Sequence, residues 1–480
     1  MTPVTVHFAL LDWIVFGLFV AALLSLGLSA RLRETTILQF LAAGRTLTLP
    51  VFVATLVSTW YGGILGAGEA TATYGIGTWL LLGVPYYVFA LVYAQFFAGR
   101  VRENDQLSLP ERLELRWGRS SGLVGAGLVL LLAVPAAQVY MLAVLIQCFT
   151  GWEPLPSLLV GALAVTAFLL KGGLLADARV GLLAFVLMYV GFIALDVYAA
   201  SHHPFATILP SLRTQKLLNP SGGIGGIGVL TFFLLGAWTL VDPAFHQRVT
   251  SSASPKVGRR GVLISILFWM LFDFLSLVAG LYAMGLLAKP PADLVALYPA
   301  FGEAILPTGL KGLFIVGMAG TITSALAGYT LVSGATFGRE IVARLRGDAD
   351  ERSITAWSRA GLFVGAAVAV VVALQVHSVV EIWYGYSGAI VGALLIPVSL
   401  AYLGKTRGRL SPGVVNASML LSFGVAAAWM IDAIRTDNPS MNVLWFKQTF
   451  SLGTLIPALA ISGAILGVAA LVQRPAVGES

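Results

Sequence analysis

The sequence contains few charged residues and almost no cysteine. Only 11% of its 480 residues are Asp, Glu, Lys or Arg, whereas 58% are hydrophobic. Because soluble domains carry roughly 25% charged residues, this composition excludes an ordinary soluble protein and indicates an integral membrane protein, with the lipid bilayer as its surroundings. The single cysteine, Cys148, excludes an intramolecular disulfide and any metal site built from several cysteines.

Dense basic runs and catalytic clusters are also missing from the sequence. The net charge is +7, but the basic residues are scattered, so a nucleic-acid partner is not expected. An excess of Lys and Arg in cytoplasmic loops explains a basic membrane protein more simply. The five histidines have no metal-ligand spacing, and neither a His/Asp metal set nor a Ser–Lys pair occurs at membrane depth. We therefore do not expect an enzyme.

Long apolar stretches, by contrast, are frequent. A membrane-spanning helix needs about 20 mostly apolar residues, and thirteen spans are predicted on this basis. The connections between them are too short for an independent soluble core, so the predicted fold class is an all-α membrane protein. The spans are 8–30, 47–75, 77–101, 121–148, 155–171, 179–201, 224–248, 260–288, 310–342, 355–376, 380–403, 412–433 and 452–473.

The distribution of basic residues predicts the orientation of the chain. With the N-terminus outside, most of the 29 Lys and Arg residues fall in loops on the inner side. This bias is the one that cytoplasmic loops show. The sequence therefore predicts a multi-pass protein of the cell membrane with its N-terminus outside and its C-terminus in the cytoplasm.

The second span contains residues that a lipid-facing helix does not need. Between Thr55 and Ala70 lie four glycines, three hydroxyl residues, Trp60 and Glu69. One interpretation is close helix packing, which small residues permit. The other is an interrupted helix that lines a ligand cavity, as in secondary transporters. Glu69 at membrane depth favours the second interpretation.

The seventh span contains a second interruption. Pro243 follows Asp242 inside an apolar stretch, and a proline in a helix interior removes a backbone hydrogen bond. The two interrupted spans are five spans apart, which fits two inverted repeats of five helices with a binding site at their junction. Among the other acidic residues within spans, Asp12 and Asp196 are expected to reach the interface. Asp273 is either a buried structural partner or a functional residue.

The ninth span has closely spaced hydroxyl residues. Thr321 and Ser324 are three residues apart and share one helical face, so their oxygens can serve a small hard cation. The alternative is hydrogen bonding of these hydroxyls to their own helix, combined with tight packing.

These segments together resemble the sodium/solute symporter family over about 40–405. Thr59-Trp60-Tyr61-Gly62-Gly63 followed by Glu69 is most similar to the choline carriers of that family. The other segments that carry the resemblance are Phe40–Arg45, Gly172–Leu174, Gln247-Arg248 and Phe337–Ile341.

The resemblance implies ten core helices in two inverted repeats, with the first and sixth core helices broken. We predict four segments on this basis. Residues 1–45 form an additional N-terminal span with its inner loop, and 46–223 form the first repeat. Residues 224–405 form the second repeat, and 406–480 form two further spans with a short tail.

The resemblance also implies a sodium site. Its ligands would be the backbone carbonyls of Ser58, Tyr61 and Thr321 and the hydroxyl of Ser324. The sequence departs from the family at two positions, because Ala325 replaces a hydroxyl residue and Gly181 replaces an aspartate. We therefore expect one sodium ion at most. Arg179 lies close to Gly181 in sequence, so a fixed positive charge in place of sodium, with proton-coupled or uncoupled transport, is the alternative.

For the substrate, the resemblance implies that Trp60 contacts a cationic group, an interaction that an indole face supports. A second tryptophan of the choline carriers aligns with Asp242, and Trp238 lies one turn away. The predicted substrate is a small polar organic solute, amine- or cation-bearing. The predicted substrate-binding residues are Trp60, Glu69, Gln138, Tyr140, Trp238, Asp242, Trp383 and Tyr384.

The expected function is secondary active transport by alternating access, with sodium as the coupled ion. A transporter-like membrane sensor is the alternative class. Such sensors usually carry appended signalling domains, and the short tail after the last span argues against this alternative.

Overall fold

A computed structural model describes residues 4–30, 36–104, 106–404, 410–436, 438, 442–445 and 448–472. Nearly all of these residues are helical, which confirms the predicted all-α class. In the first part of the chain the helices are α1 (Leu10–Leu28), α2 (Ile37–Ala42), α3 (Leu49–Trp60), α4 (Ile64–Tyr74), α5 (Val84–Val92), α6 (Ala98–Glu103), α7 (Leu109–Trp117), α8 (Arg119–Leu132), α9 (Ala136–Thr150), α10 (Pro154–His202) and α11 (Phe205–Thr214). In the second part they are α12 (Gly226–Leu235), α13 (Pro243–Thr250), α14 (Pro255–Leu286), α15 (Leu297–Ile305), α16 (Leu310–Ala335), α17 (Arg344–Arg346), α18 (Glu351–Gln375), α19 (Val379–Glu381), α20 (Gly388–Leu403), α21 (Pro412–Arg435) and α22 (Leu455–Val472).

Short segments of tighter or wider helix connect several of these elements. The 3-10 segments are Ala43–Arg45, Tyr61–Gly63, Gly236–Leu240 and Leu294–Ala296, and the π segments are Trp79–Gly83, Tyr93–Phe97, Thr336–Ala343 and Ile382–Ser387. A two-stranded antiparallel hairpin joins α21 to α22. Its strands are β1 (Asn442–Trp445) and β2 (Gln448–Ser451), in which Asn442 pairs with Ser451. The sequence did not predict this hairpin, since it expected only a connection there.

Twelve helices among the described residues are long and apolar enough to cross a membrane. The difference from the thirteen predicted spans arises at α10, which has 49 residues and is much longer than one crossing requires. Gly173 interrupts α10 with φ 47°, a conformation that favours glycine. A side chain at Gly173 would also overlap with the backbone oxygen of Phe40. The predicted spans 155–171 and 179–201 thus correspond to the two helical segments that meet at the kink at Gly173, so that α10 contains two of the predicted spans.

The first broken helix consists of α3 and α4, separated by the 3-10 turn Tyr61–Gly63. Small residues are required at this turn because it lies against α16. A methyl group added to Gly62 would overlap with the side chain of Ala325, and one added to Gly63 would overlap with Trp383. The predicted interruption is therefore present, and close packing occurs at the same residues.

The second broken helix consists of α12 and α13, separated by the 3-10 segment Gly236–Leu240. Asp242 is the N-cap of α13, and its Oδ1 accepts a hydrogen bond of 2.7 Å from the amide of Phe245. Pro243 occupies the first position of α13, where the missing N–H costs nothing. The proline therefore starts a new helix here.

The helices around these breaks form the buried centre of the molecule. α10 and α16 pack closely because Gly317 lies against the backbone of Leu187, and Gly191 lies against the backbone of Phe314. By contrast, α1, α21 and α22 expose apolar side chains such as Leu18, which is 66% exposed. This exposure is typical of helices that face lipid.

Two acidic residues that were expected to reach the interface are shielded by the surrounding protein. Asp12 is fully buried, and its Oδ1 accepts hydrogen bonds from the amides of Gly309 and Gly312 at the start of α16. Asp196 is 9% exposed, on the second half of α10. Position in a span did not reveal these surroundings, because they depend on the packing of neighbouring helices.

Candidate substrate cavity and ion site

A cavity of about 130 Å³ lies between the two broken helices. One buried water needs roughly 10–15 Å³ by the same measure, so the space admits a small organic molecule. Predicted substrate residues that line this cavity are Trp60, Gln138, Trp238, Asp242 and Trp383. Polar and aromatic residues that the sequence reasoning missed are Thr59, Thr71, Thr78, Trp79, Tyr86, Ser276, Tyr329, Tyr386 and Ser387.

Trp60 is the centre of an aromatic group in this cavity. Its ring centroid lies 4.9 Å from that of Tyr86, 5.1 Å from that of Trp269 and 6.1 Å from that of Phe245. The Tyr86 and Phe245 contacts are edge-on, and such contacts fix the orientation of an indole. The break at Tyr61–Gly63 thus presents Trp60 to the cavity in a defined orientation.

Asp242 combines two roles in this site. While Oδ1 caps α13, Oδ2 accepts a hydrogen bond of 2.6 Å from the hydroxyl of Tyr329 on α16. Asp242 is only 1% exposed, and it lines the cavity beside Trp238. The carboxylate therefore stands where the choline-carrier pattern predicted a tryptophan.

Asp273 is the second carboxylate that lines the cavity. Its Oδ1 accepts a hydrogen bond of 2.7 Å from Tyr61, and its Oδ2 accepts one from Tyr87. The sequence left Asp273 open between a structural and a functional role. The tyrosines are structural partners of this carboxylate, and it also lies at the cavity wall.

The described residues of the cavity wall include acidic side chains but no basic ones. Among the described residues that line it, two are Asp and none is Lys, Arg or His. Neither Asp242 nor Asp273 takes part in an ion pair within the described part of the chain. Because charge in a membrane interior is costly unless it is compensated, this arrangement favours a cationic ligand.

Glu69, although predicted to bind substrate, does not line the cavity. Its Oε2 accepts hydrogen bonds from the amides of Val379 at 2.9 Å and Val380 at 3.3 Å, and its Oε1 accepts one from the hydroxyl of Ser378. These groups form the start of the helix that continues to Leu403. A carboxylate is stabilised there by the free N–H groups and by the helix dipole. Glu69 thus links the first broken helix to the eleventh predicted span.

Tyr140 and Tyr384 also lie away from the cavity wall. The Tyr140 hydroxyl is 2.9 Å from Oδ2 of Asp293 and 3.0 Å from the carbonyl oxygen of His377. Asp293 lies in a connection between membrane helices, where burial raises the pKa of its carboxyl group. Tyr384 packs on Phe232, with ring centroids 5.2 Å apart. The sequence could place both tyrosines on suitable helices, but it could not show which face they occupy.

The four predicted ion ligands lie on two helices that pack against each other. Ser58 and Tyr61 belong to α3 and the turn that follows it, whereas Thr321 and Ser324 belong to α16. The hydroxyl oxygens of Ser58 and Ser324 are 3.1 Å apart, and both residues are fully buried. The backbone oxygen of Thr321 faces Gly62 across this contact. The hydroxyl of Thr321, however, donates to its own helix at Met318, as the alternative interpretation expected.

Gly181 of α10 lies next to the hydroxyl groups of Ser58 and Ser324. A Cβ atom at this position would lie 3.1 Å from Oγ of Ser58 and 3.2 Å from Oγ of Ser324. The oxygen atoms nearby belong to neutral hydroxyl and carbonyl groups, a donor set that suits a monovalent hard cation. Ala325 supplies no side-chain oxygen, and its methyl group packs against Gly62.

A buried ion pair lies next to this contact, and the sequence reasoning missed it. Arg248 is 1% exposed and binds Asp177, which is fully buried, while its Nη2 lies 3.1 Å from the hydroxyl of Thr59. Asp177 precedes Gly181 by one helical turn. Residues 172–178 were predicted to connect two spans, and Asp177 was therefore not a candidate for a residue at membrane depth. Arg179, which had been considered as the fixed charge, instead donates to the hydroxyl of Ser29 at 3.0 Å.

With this geometry established, comparison with known proteins identifies the family. The model of the sodium:solute symporter family matches residues 40–403. The chain belongs to the sodium:solute symporter family. It is a membrane transporter of a family named for sodium-coupled solute symport, as the sequence predicted.

Relatives support the same family at low identity. The osmoregulated proline transporter OpuE of Bacillus subtilis is 21% identical over 437 residues, which cover 84% of this chain and 87% of the relative. The human high affinity choline transporter 1 is 23% identical over 388 residues, which cover 76% and 66% of the two chains. These relatives are named for different solutes, proline and choline. Membership of the sodium:solute symporter family therefore does not identify the substrate of this chain.

A solved structure supports the fold. A Na⁺-coupled sialic acid symporter in a substrate-bound outward-open state superposes with a TM-score of 0.79 at 14% identity, covering 98% of this chain and 99% of the other. This agreement confirms the ten-helix core with broken first and sixth core helices. In this chain the broken helices are α3–α4 and α12–α13.

Proposed function

We propose that this chain is a sodium-coupled symporter of a small amine-bearing cation. The observation that carries the proposal is the cavity beside Trp60, where the described lining residues include two carboxylates and no basic side chain. An ammonium group in this cavity gains both the attraction of the carboxylates and that of the indole face. An anionic solute would instead be repelled by the same wall.

The proposed sodium ligands are the carbonyls of Ser58, Tyr61 and Thr321 and the hydroxyl of Ser324. The support for this assignment is that the Ser58 and Ser324 hydroxyls lie 3.1 Å apart beside Gly181. Sodium bound here would hold the first broken helix against α16. Because Trp60 and Tyr61 are part of that helix, ion binding and substrate binding would stabilise the same arrangement.

The alternative is proton-coupled or uncoupled transport on the same fold. One argument for this alternative is that Ala325 and Gly181 supply no side-chain oxygen. Another is that the guanidinium group of Arg248, which is paired with Asp177, also donates a hydrogen bond to Thr59, the residue next to Ser58. Under either form of coupling, the proposed reaction is transport without chemical conversion of the solute. We further propose that the N-terminus is outside the cell membrane and the C-terminus is in the cytoplasm.

The decisive measurement is the thermal stability of the purified protein in sodium chloride and in potassium chloride, each with n-butylammonium or with butyrate. We expect sodium to raise the melting temperature and to strengthen stabilisation by n-butylammonium, whereas butyrate has no effect. Trp60→Ala should remove the effect of the ammonium ion and abolish uptake of the amine that stabilises the wild type most, without lowering membrane expression.

Two results would contradict this proposal in different ways. Equal stability in sodium and potassium, together with uptake that requires a proton gradient, would overturn sodium coupling. Stabilisation by butyrate but not by n-butylammonium would overturn the cationic substrate.

A further inference from the structure

The two carboxylates of the cavity accept hydrogen bonds from different donors. Asp242 is held by the amide of Phe245 and the hydroxyl of Tyr329, whereas Asp273 is held by the hydroxyls of Tyr61 and Tyr87. They share no hydrogen-bond partner, and no hydrogen bond joins them within the described residues. The arrangement therefore differs from a pair of carboxyl groups that share one proton, and it provides two distinct anionic positions.

Both positions adjoin the aromatic group around Trp60. Asp242 bonds the backbone of Phe245, whose ring is 6.1 Å from that of Trp60. Asp273 lies one helical turn after Trp269, whose ring is 5.1 Å from that of Trp60. Trp60 and the two carboxylates, which come from different helices, therefore line the same cavity.

Neither carboxylate belongs to the proposed ion site. That site consists of neutral oxygens from Ser58, Tyr61, Thr321 and Ser324. Of these residues only Tyr61 also lines the cavity, and its hydroxyl donates to Asp273. A sodium ion at this site would leave both cavity carboxylates uncompensated.

We propose that the substrate is a diamine, in which two ammonium groups are joined by a short alkyl chain. One ammonium group binds Asp242, the other binds Asp273, and the alkyl chain packs on the aromatic surface of Trp60. This inference rests on the proposed function and makes its substrate class specific. A dication compensates both cavity carboxylates, whereas a monocation leaves one of them without a counter-charge.

The test compares ligands that differ in the number of charges but not in chain length. Binding of 1,4-diaminobutane and of n-butylamine to the purified full-length protein is measured by calorimetry at neutral pH and constant sodium concentration. We expect the dissociation constant of the diamine to be at least about tenfold lower. Diamines with three, five and six carbons then locate the preferred spacing, and diaminobutane uptake into proteoliposomes shows whether the bound ligand is transported.

Two variants test whether the second charge acts at the assigned carboxylates. Asp242→Asn and Asp273→Asn should each bring the diamine to the affinity of the monoamine. Asp196→Asn is the matched control, because Asp196 is a buried carboxylate in a membrane helix that does not line the cavity. It should leave the ratio of the two affinities unchanged.

The outcomes separate this inference from the function on which it rests. Equal affinity for n-butylamine and 1,4-diaminobutane in the wild type would overturn the diamine assignment while leaving an amine symporter intact. Absence of binding by both amines would overturn the proposed amine substrate itself. The ligand comparison in the wild type remains decisive even where a variant does not fold.

Discussion

The carboxylates within the membrane helices of this protein differ in how they are compensated. Around the cavity, Asp177 is paired with Arg248, and Glu69 lies at the N-terminal amides of the helix that begins at Val379. At the cavity wall, Asp242 and Asp273 accept hydrogen bonds but have no positive partner among the described residues. The first group stabilises contacts between helices. The second group is left with charge that a ligand can compensate.

Substitution of Asp242 by asparagine should give the largest effect on transport. Asparagine is as good an N-cap as aspartate, so the start of α13 is retained while the charge is removed. Loss of one partner of a desolvated charge pair costs roughly 2–5 kcal/mol. We therefore expect kcat/KM for uptake of the best stabilising amine to fall about 100-fold. Uptake at the wild-type rate would show that Asp242 is only a helix cap.

Removal of one charge from the Asp177–Arg248 pair should mainly affect stability. Arg248→Leu leaves a buried carboxylate without compensation, which costs roughly 3–5 kcal/mol. The double variant Arg248→Leu with Asp177→Leu should recover much of this loss, since replacement of a buried pair by apolar residues is often neutral. Thermal unfolding in nanodiscs measures both variants. A double variant as unstable as the single one would show that the two charges do not compensate each other.

Glu69→Gln should give the smallest effect of the three substitutions. Glutamine retains a carbonyl oxygen for the amides of Val379 and Val380 but loses the favourable interaction of charge with a helix N-terminus, worth roughly 0.3–1 kcal/mol. We expect a small fall in melting temperature and nearly normal affinity for n-butylammonium. A loss of affinity as large as that of Asp242→Asn would place Glu69 with the cavity carboxylates and break the distinction between the two groups.

The two helix breaks could be predicted because their causes are local. Pro243 lacks an N–H group, Asp242 is a favourable cap, and Gly62 and Gly63 weaken the helix that contains them. The partners of the side chains are not local. Glu69 and Val379 are 310 residues apart in the chain, and no pattern around either residue indicates the other. The roles of Glu69, Tyr140 and Tyr384 were therefore beyond sequence reasoning.

Asp177 illustrates a different limit. Its position close to Lys171 and Arg179 is typical of a loop between spans, and hydropathy alone cannot distinguish a loop from a bent helix. Gly173 provided the only signal, because a glycine inside an apolar pattern permits a left-handed residue. Recognition of that bend would have placed Asp177 in a membrane helix, whereas its partner Arg248 is 71 residues away in the chain.

The sequence by itself determined the membrane class, the two broken helices and the residues that flank them, because composition, proline, glycine and capping act through the local chain. Only the tertiary structure decided how each buried carboxylate is compensated. That outcome depends on which amides, hydroxyls or guanidinium groups the packed helices bring within hydrogen-bonding distance. Glu69 and Asp242, both predicted as substrate ligands, differ for this reason alone: one faces a helix N-terminus and the other faces the cavity.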